Sequence, residues 1–250
     1  MFRILAALIF FTRLPFGRIT EVPKEYFKNI VSCWPLVGWF TAGITALVLY
    51  ACSLIFPASI AVLLAILSRI LLTGGLHEDG LADFLDGFGG GTTKVRILEI
   101  MKDSHIGTYG VTGLIFYFLL YYFLLSALPI ELAGSVILAA DPFCKGVTSM
   151  IINRLPYARS EEASKAKVVY SRMSTGELVF ALFCGLLPLL WLPQPSYLLA
   201  TIPVIVVWYL LTSIMKKKLQ GYTGDCCGAT MLVCEITFYL TIVLIYTVSY

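Results

Sequence analysis

The feature that most constrains this chain is a succession of apolar runs, each close to the thickness of a bilayer. They fall at 34–56, 58–76, 110–128, 131–151, 178–194, 197–215 and 229–249. About 20 apolar residues cross the hydrocarbon core as a helix, at a rise of about 1.5 Å each. Backbone N–H and C=O groups find no water there, so only helices or closed barrels can span it. Runs of this length select the helix. Composition agrees, with 59% hydrophobic and 13% charged residues, where a soluble domain has about 25% charged. The mean hydropathy is +0.88. The expected fold class is all-α: a polytopic integral membrane bundle of about seven transmembrane helices, forming a single domain over residues 1–250. The first apolar stretch, 4–11, is too short to span. Thr12-Arg13-Leu14-Pro15 follows it in place of a small-residue cleavage pattern, so it reads as an N-terminal interfacial or re-entrant helix. Seven scattered cysteines without a CxxC spacing read as small packing residues.

Charge placement gives a direction. The connections near 52–58, 127–132 and 191–197 carry no Lys or Arg, and Glu131 is their one charge. The opposite side carries Arg13, Arg18, Lys24 and Lys28, then Lys94, Arg96 and Lys102. It also carries Arg154, Arg159, Lys165, Lys167 and Arg172, and finally Lys216, Lys217 and Lys218. Basic loops stay on the cytoplasmic side. The expected topology therefore has a cytoplasmic N-terminus, three polar cytoplasmic loops (77–109, 152–177, 216–228) and an external C-terminus. Function is expected to face the cytoplasm.

The richest of these loops holds six of the fifteen acidic residues and both histidines within 77–105. Asp79, Asp83 and Asp86 are spaced i, i+4, i+7, so on a helix they share a face. Three carboxylates on one face repel unless a cation lies between them, and hard oxygen ligands suit Mg²⁺. The segment is flanked by Gly74, Gly75, Gly80, Gly87 and Gly89-Gly90-Gly91. Such glycines permit a phosphate to approach the backbone, or a sharp change of direction. The blander alternative is a solvated helix of mixed charge.

Other constellations surround it. Asp103, in Lys102-Asp103-Ser104-His105, reads either as part of a helix N-terminus near 110 or as a further metal ligand, with Lys102 near phosphate. His77 reads as a helix-end hydrogen-bonding residue or a base. Arg154 and Arg159 read either as part of a basic juxtamembrane patch or as an arginine pair that holds a pyrophosphate. Lys165, Lys167 and Arg172 read as a basic patch on anionic lipid. Gly221-Tyr222-Thr223-Gly224-Asp225 reads as a flexible loop before a helix, or as a glycine-rich phosphate cradle in which Gly224 and Asp225 bind substrate. Within the spans, Asp141 and Lys145 at i, i+4 can pair, and Glu235 is a buried charge that needs a partner or a task.

These motifs, taken together and in order, resemble the cobalamin synthases, the adenosylcobinamide-GDP ribazoletransferases. The resemblance runs from Phe11-Thr12-Arg13-Leu14-Pro15 through Trp34-Pro35-Leu36-Val37-Gly38 to Gly74-Gly75-Leu76-His77-Glu78-Asp79-Gly80-Leu81-Ala82-Asp83 with Asp86-Gly87. It continues in Glu99-Ile100-Met101-Lys102-Asp103-Ser104, Arg154 with Tyr157-Ala158-Arg159, and Gly221-Tyr222-Thr223-Gly224-Asp225 with Gly228-Ala229. Glu78, His105 and Cys144-Lys145 depart from the pattern. The resemblance implies a late step of corrinoid assembly at the bacterial cytoplasmic (inner) membrane. Its donor is adenosylcobinamide-GDP, its acceptor α-ribazole or α-ribazole 5′-phosphate, and its cofactor Mg²⁺. The products are adenosylcobalamin or its phosphate, and GMP. Membrane lipids are a partner, self-association is allowed, and nucleic acid is not expected.

On that reading Asp79, Asp83 and Asp86 hold Mg²⁺ on the donor pyrophosphate, helped by Asp103 or Asp225. One of these carboxylates (Asp83 or Asp86) or His77 takes the proton from the attacking ribose hydroxyl. Lys102, Arg154 and Arg159 hold phosphates. Two rivals stand beside it. A CDP-alcohol phosphotransferase also uses aspartates and glycines, but Asp79-Gly80 lacks the Ala-Arg that should follow. A transporter would place polar groups near the midplane, where only Asp141, Lys145 and Glu235 fall.

Overall fold

In the computed structural model, residues 2–159 and 170–249 are described; Lys165 and Lys167 of the basic patch lie outside them. The apolar runs are helical. The chain opens with α1 (Phe2–Phe11) and a short turn, α2 (Phe16–Ile19). A 3₁₀ segment, Lys24–Cys33, leads directly into α3 (Trp34–Ser53), and α4 is Ala58–Thr73. The acidic segment forms α5 (Leu76–Gly90), followed by α6 (Lys94–Ile100) and α7 (Thr108–Ser126). Then come α8 (Ile130–Ser149), α9 (Ile151–Arg154), α10 (Thr175–Leu186), α11 (Thr201–Lys218) and α12 (Gly224–Ser249).

By length and composition five helical stretches can cross a membrane, or six when the bent pair α4–α5 counts as one span. The expected span 178–194 is the one that falls short. Its helix α10 gives way to a 3₁₀ turn, Leu187–Trp191, because Pro188 supplies no N–H for the α-helical ladder. At the N-terminus, α1 is a short apolar helix that buries Ala6, Ala7 and Phe11.

Helix α8 is the hub, buried along most of its length. It touches α3 backbone to backbone: a Cβ on Gly38 would lie 2.7 Å from the Cα of Pro142. Two pairs of opposite charges are buried in this core. Lys145 makes an ion pair with Asp141, and Thr41 joins them, donating to the Asp141 carboxylate at 2.6 Å and accepting from Lys145 Nζ at 2.8 Å. Glu235 is held by Arg69, whose Nη1 lies 2.6 Å from Oε2. The phenols of Tyr239 and Tyr121 complete that cluster. A charge stranded in this environment costs several kcal/mol, and partners from other helices remove that cost.

Two glycines turn the acidic helix out of this bundle. Gly74 and Gly75 have φ of +68° and +70°, a region that glycine enters without the penalty other residues incur. The axis turns by 87° between α4 and α5. Arg13 covers the turn, its N–H donating to the Leu72 carbonyl at 2.7 Å.

Candidate active site

The turn lays α5 across the start of α12. The two backbones meet at glycines: a Cβ on Gly80 would sit 3.0 Å from the Asp225 carbonyl oxygen, and one on Gly228 3.2 Å from the His77 Cα. Asp225 stands in the first turn of α12, where the helix dipole favours a carboxylate. Thr223 caps that turn, its hydroxyl accepting the Cys226 N–H at 3.3 Å.

A third segment closes the site. Residues 156–158 run parallel to 221–223, with Tyr222 N–H donating to the Pro156 carbonyl (2.9 Å) and Ala158 N–H to the Tyr222 carbonyl (2.8 Å). Gly221 permits this, since a Cβ there would lie 2.5 Å from the Pro156 oxygen. The pairing delivers Arg159. Its guanidinium donates to the Leu98 carbonyl at 3.2 Å and lies 3.9 Å from Asp225 Oδ2, with the side chain only 4% exposed.

One pocket results. Asp79, Asp225, Arg159 and Gly224 form its polar part, and Phe11, Trp34, His77, Tyr157 and Tyr170 much of its apolar part. Burial drives the Tyr170 phenol well above its ordinary pKa, so it stays protonated and can donate a hydrogen bond. His77 is 2% exposed, and neither ring nitrogen has a hydrogen-bond partner among the described residues.

The expected carboxylate cluster is not assembled in full. Asp79 and Asp225 share the pocket; Asp83, one turn along α5, is half-buried beside it and outside its lining. Asp86 faces elsewhere. Its two oxygens accept the N–H groups of Gly107 (2.7 Å) and Gly110 (2.9 Å) at the start of α7. The physical reason is axial distance: seven residues of helix separate Asp79 from Asp86 by about 10 Å, too far for one ion with ligands at about 2.1 Å. Asp103 is exposed in a separate groove with Asp86. There it accepts the His105 N–H at 3.0 Å and approaches its Nδ1 at 2.7 Å, contacts that lower the Asp103 carboxyl pKa. Among the described residues no three His, Cys, Asp or Glu side chains form a metal-holding group.

The residues expected to hold phosphate also divide. Arg159 lines the pocket, whereas Arg154 stacks on Tyr209 (4.5 Å) and Trp208 (5.2 Å) of α11, and Lys102 is exposed beyond α6. The pyrophosphate clamp of two arginines is therefore not formed. Two features escaped the sequence reading. Arg69, a lone base in the run 58–76, was detectable by the same buried-charge rule that flags Glu235. The aromatic wall had no signal, because aromatics are common at membrane boundaries.

Residues 3–243 match the family model described as cobalamin-5-phosphate synthase. The chain belongs to that family. Among curated relatives, an adenosylcobinamide-GDP ribazoletransferase of Shewanella amazonensis is 38% identical over 250 residues, covering 98% of this chain and 96% of the relative. The enzyme of the same name from Shewanella sp. (strain W3-18-1) is 37% identical over 244 residues, covering 96% and 93%. The Shewanella oneidensis enzyme is 36% identical over 242 residues, covering 96% and 92%. No solved structure matches the chain. Every motif that carried the resemblance lies within the matched residues.

Proposed function

We propose that this protein is an adenosylcobinamide-GDP ribazoletransferase. The acceptor is α-ribazole or its 5′-phosphate, and its ribose 3′-hydroxyl oxygen attacks the phosphorus that bears the aminopropanol arm of adenosylcobinamide-GDP. That P–O bond forms as the bond to the bridging pyrophosphate oxygen breaks. GMP leaves, and the hydroxyl proton passes to a carboxylate. The observation that carries this reading is the meeting of Asp79, Asp225 and Arg159 in one pocket, within a chain of this family.

Each residue has a task. Arg159 offers a fixed cation to the phosphoryl oxygens, the electrostatic help that phosphoryl transfer needs. Asp79 or Asp225 receives the proton. The donor set suits Mg²⁺, which binds through one or two carboxylates together with substrate phosphates. Asp79 and Asp225 would hold it, with Asp83 close by, and the ion would offset the charge of the pyrophosphate. We place the protein in the bacterial inner membrane with the pocket facing the cytoplasm, supported by the positive charges at that end.

Incubating the purified protein with adenosylcobinamide-GDP and α-ribazole, with and without Mg²⁺, tests this. GMP should appear in step with a cobalamin product, and only with both substrates. Substrate-free flux through liposomes together with no GMP would favour the transporter instead. The pairing of Asp141 with Lys145 and of Glu235 with Arg69 already gives those buried charges a structural task.

A further inference from the structure

Arg154 lies away from the transfer pocket, just beyond the end of another cavity. This is an apolar groove between α10 and α11, floored by α8. Gly146 of α8 and Gly185 of α10 bring those two helices together, since a Cβ on Gly146 would lie 3.2 Å from the Gly185 Cα. Helix α11 forms the other wall through Ile205 and Trp208. The walls are open to the side, with Ile205 and Leu186 50% and 49% exposed. From Phe143 to Met150 the groove follows α8 for about 10 Å. Polar groups mark the Met150 end. The Trp208 Nε1 is buried and has no hydrogen-bond partner among the described residues, a costly state for an N–H. Arg154 stands one helical turn past Met150, its backbone N–H donating to the Met150 carbonyl at 3.2 Å. Its guanidinium lies over the rings of Trp208 and Tyr209, and its Nη2 is 3.5 Å from the Ser213 Oγ. Among the described residues none of these partners is a carboxylate. Lys216 and Lys217, both exposed, follow Ser213 by three and four residues on α11, a spacing that puts them on its face.

We propose that this groove is a binding site for one phospholipid of net negative charge. An acyl chain fills the groove. The Trp208 N–H donates to an ester carbonyl of the glycerol backbone, and the headgroup phosphate sits on the Arg154 guanidinium, with Lys216 and Lys217 beside it. The order of chemistry along the protein matches the order along the lipid: apolar wall against chain, indole donor against ester acceptor, bases against anion. Each match has a physical reason. An unpaired N–H at a membrane boundary is satisfied by the acceptors found there, which is why indoles collect at that depth. A guanidinium spread over two rings keeps a fixed plane and presents its fork to phosphate. A zwitterionic lipid offers the same chain, ester and phosphate, but it brings an ammonium among three bases, where like charges repel. The groove shares no lining residue with the transfer pocket, so this assignment is independent of the transferase reading.

The test is lipid selection by the whole chain. The protein is reconstituted into nanodiscs of equal parts phosphatidylglycerol and phosphatidylcholine and extracted in mild detergent. The lipid that stays bound is then read by native mass spectrometry. Wild type should keep phosphatidylglycerol over phosphatidylcholine by about tenfold, and Arg154→Ala should bring the ratio to about twofold or less, the loss of one charge-assisted contact. Ile205→Trp fills the groove and leaves every base in place, so it should lower retention of both lipids. Arg96→Ala removes an exposed base of α6 and should leave the ratio as in wild type. A single symmetric peak in size exclusion checks that each variant is folded, and the wild-type ratio needs no variant at all. Equal retention of the two lipids by wild type would overturn the proposal. So would a ratio that survives Arg154→Ala, or undiminished retention in Ile205→Trp. A ratio that falls as far with Arg96→Ala as with Arg154→Ala would also overturn it, because that result describes attraction to basic surface in general.

Discussion

At the scale of single residues, carboxylates that look equivalent in sequence have different tasks. Asp79 and Asp225 face the pocket, while Asp86 spends its oxygens on two backbone N–H groups of the next helix. Hydrogen bonds to a charged group are each worth about 1.5–3 kcal/mol. Asp86→Ala should therefore lower thermal stability by about 3 kcal/mol or more, whereas Asp79→Asn, which keeps the side chain's size and removes its charge, should lower kcat about a hundredfold or more. Melting curves and turnover on the same preparations separate the two. The arginines divide likewise. Arg159→Ala should lower kcat/KM at least tenfold, and Arg154→Ala, which removes a stack on α11, should change it by less than threefold. Helical spacing made Asp79, Asp83 and Asp86 legible as one face. It could not show that the face is about 10 Å long, nor that Asp225, distant in sequence, would stand beside Asp79 in place of Asp86.

At the scale of elements, the site depends on a bend and a crossing. Gly75 adopts φ of +70° with open space where a Cβ would point, so Gly75→Ala isolates the backbone penalty of about 1–2 kcal/mol, and Gly75→Asn should cost less. Gly228 has no such room, since its Cβ would meet the His77 backbone at 3.2 Å. Gly228→Val should push α5 from α12 and reduce turnover in protein that still inserts, as read by protein level in membranes against GMP release. The glycines around the acidic segment are visible in sequence as a bend or a cradle. Which one Gly74-Gly75 makes is decided by helices that the bend must join. The pairing of 156–158 with 221–223 had no local signature, because it joins two short loop segments that are far apart in sequence.

At the scale of the whole molecule, the apolar runs carried the architecture. Their length and the near absence of charge leave helices as the answer, and the runs become the helices of the bundle. The span ending near Trp191 fell short because Pro188 breaks its ladder. The core is held in register by buried ion pairs, and these make a separable prediction. Glu235→Ala strands the Arg69 guanidinium and should destabilise the protein by about 3–5 kcal/mol. The double substitution Arg69→Met with Glu235→Leu should restore much of that stability, as measured by denaturation in detergent. The central claim is that transfer takes place where α5 crosses α12. The most direct measurement is the rate of GMP release by Asp225→Asn against wild type, at equal amounts of folded protein and saturating substrates. A fall of about a hundredfold or more is predicted, and a rate near that of wild type would contradict the account.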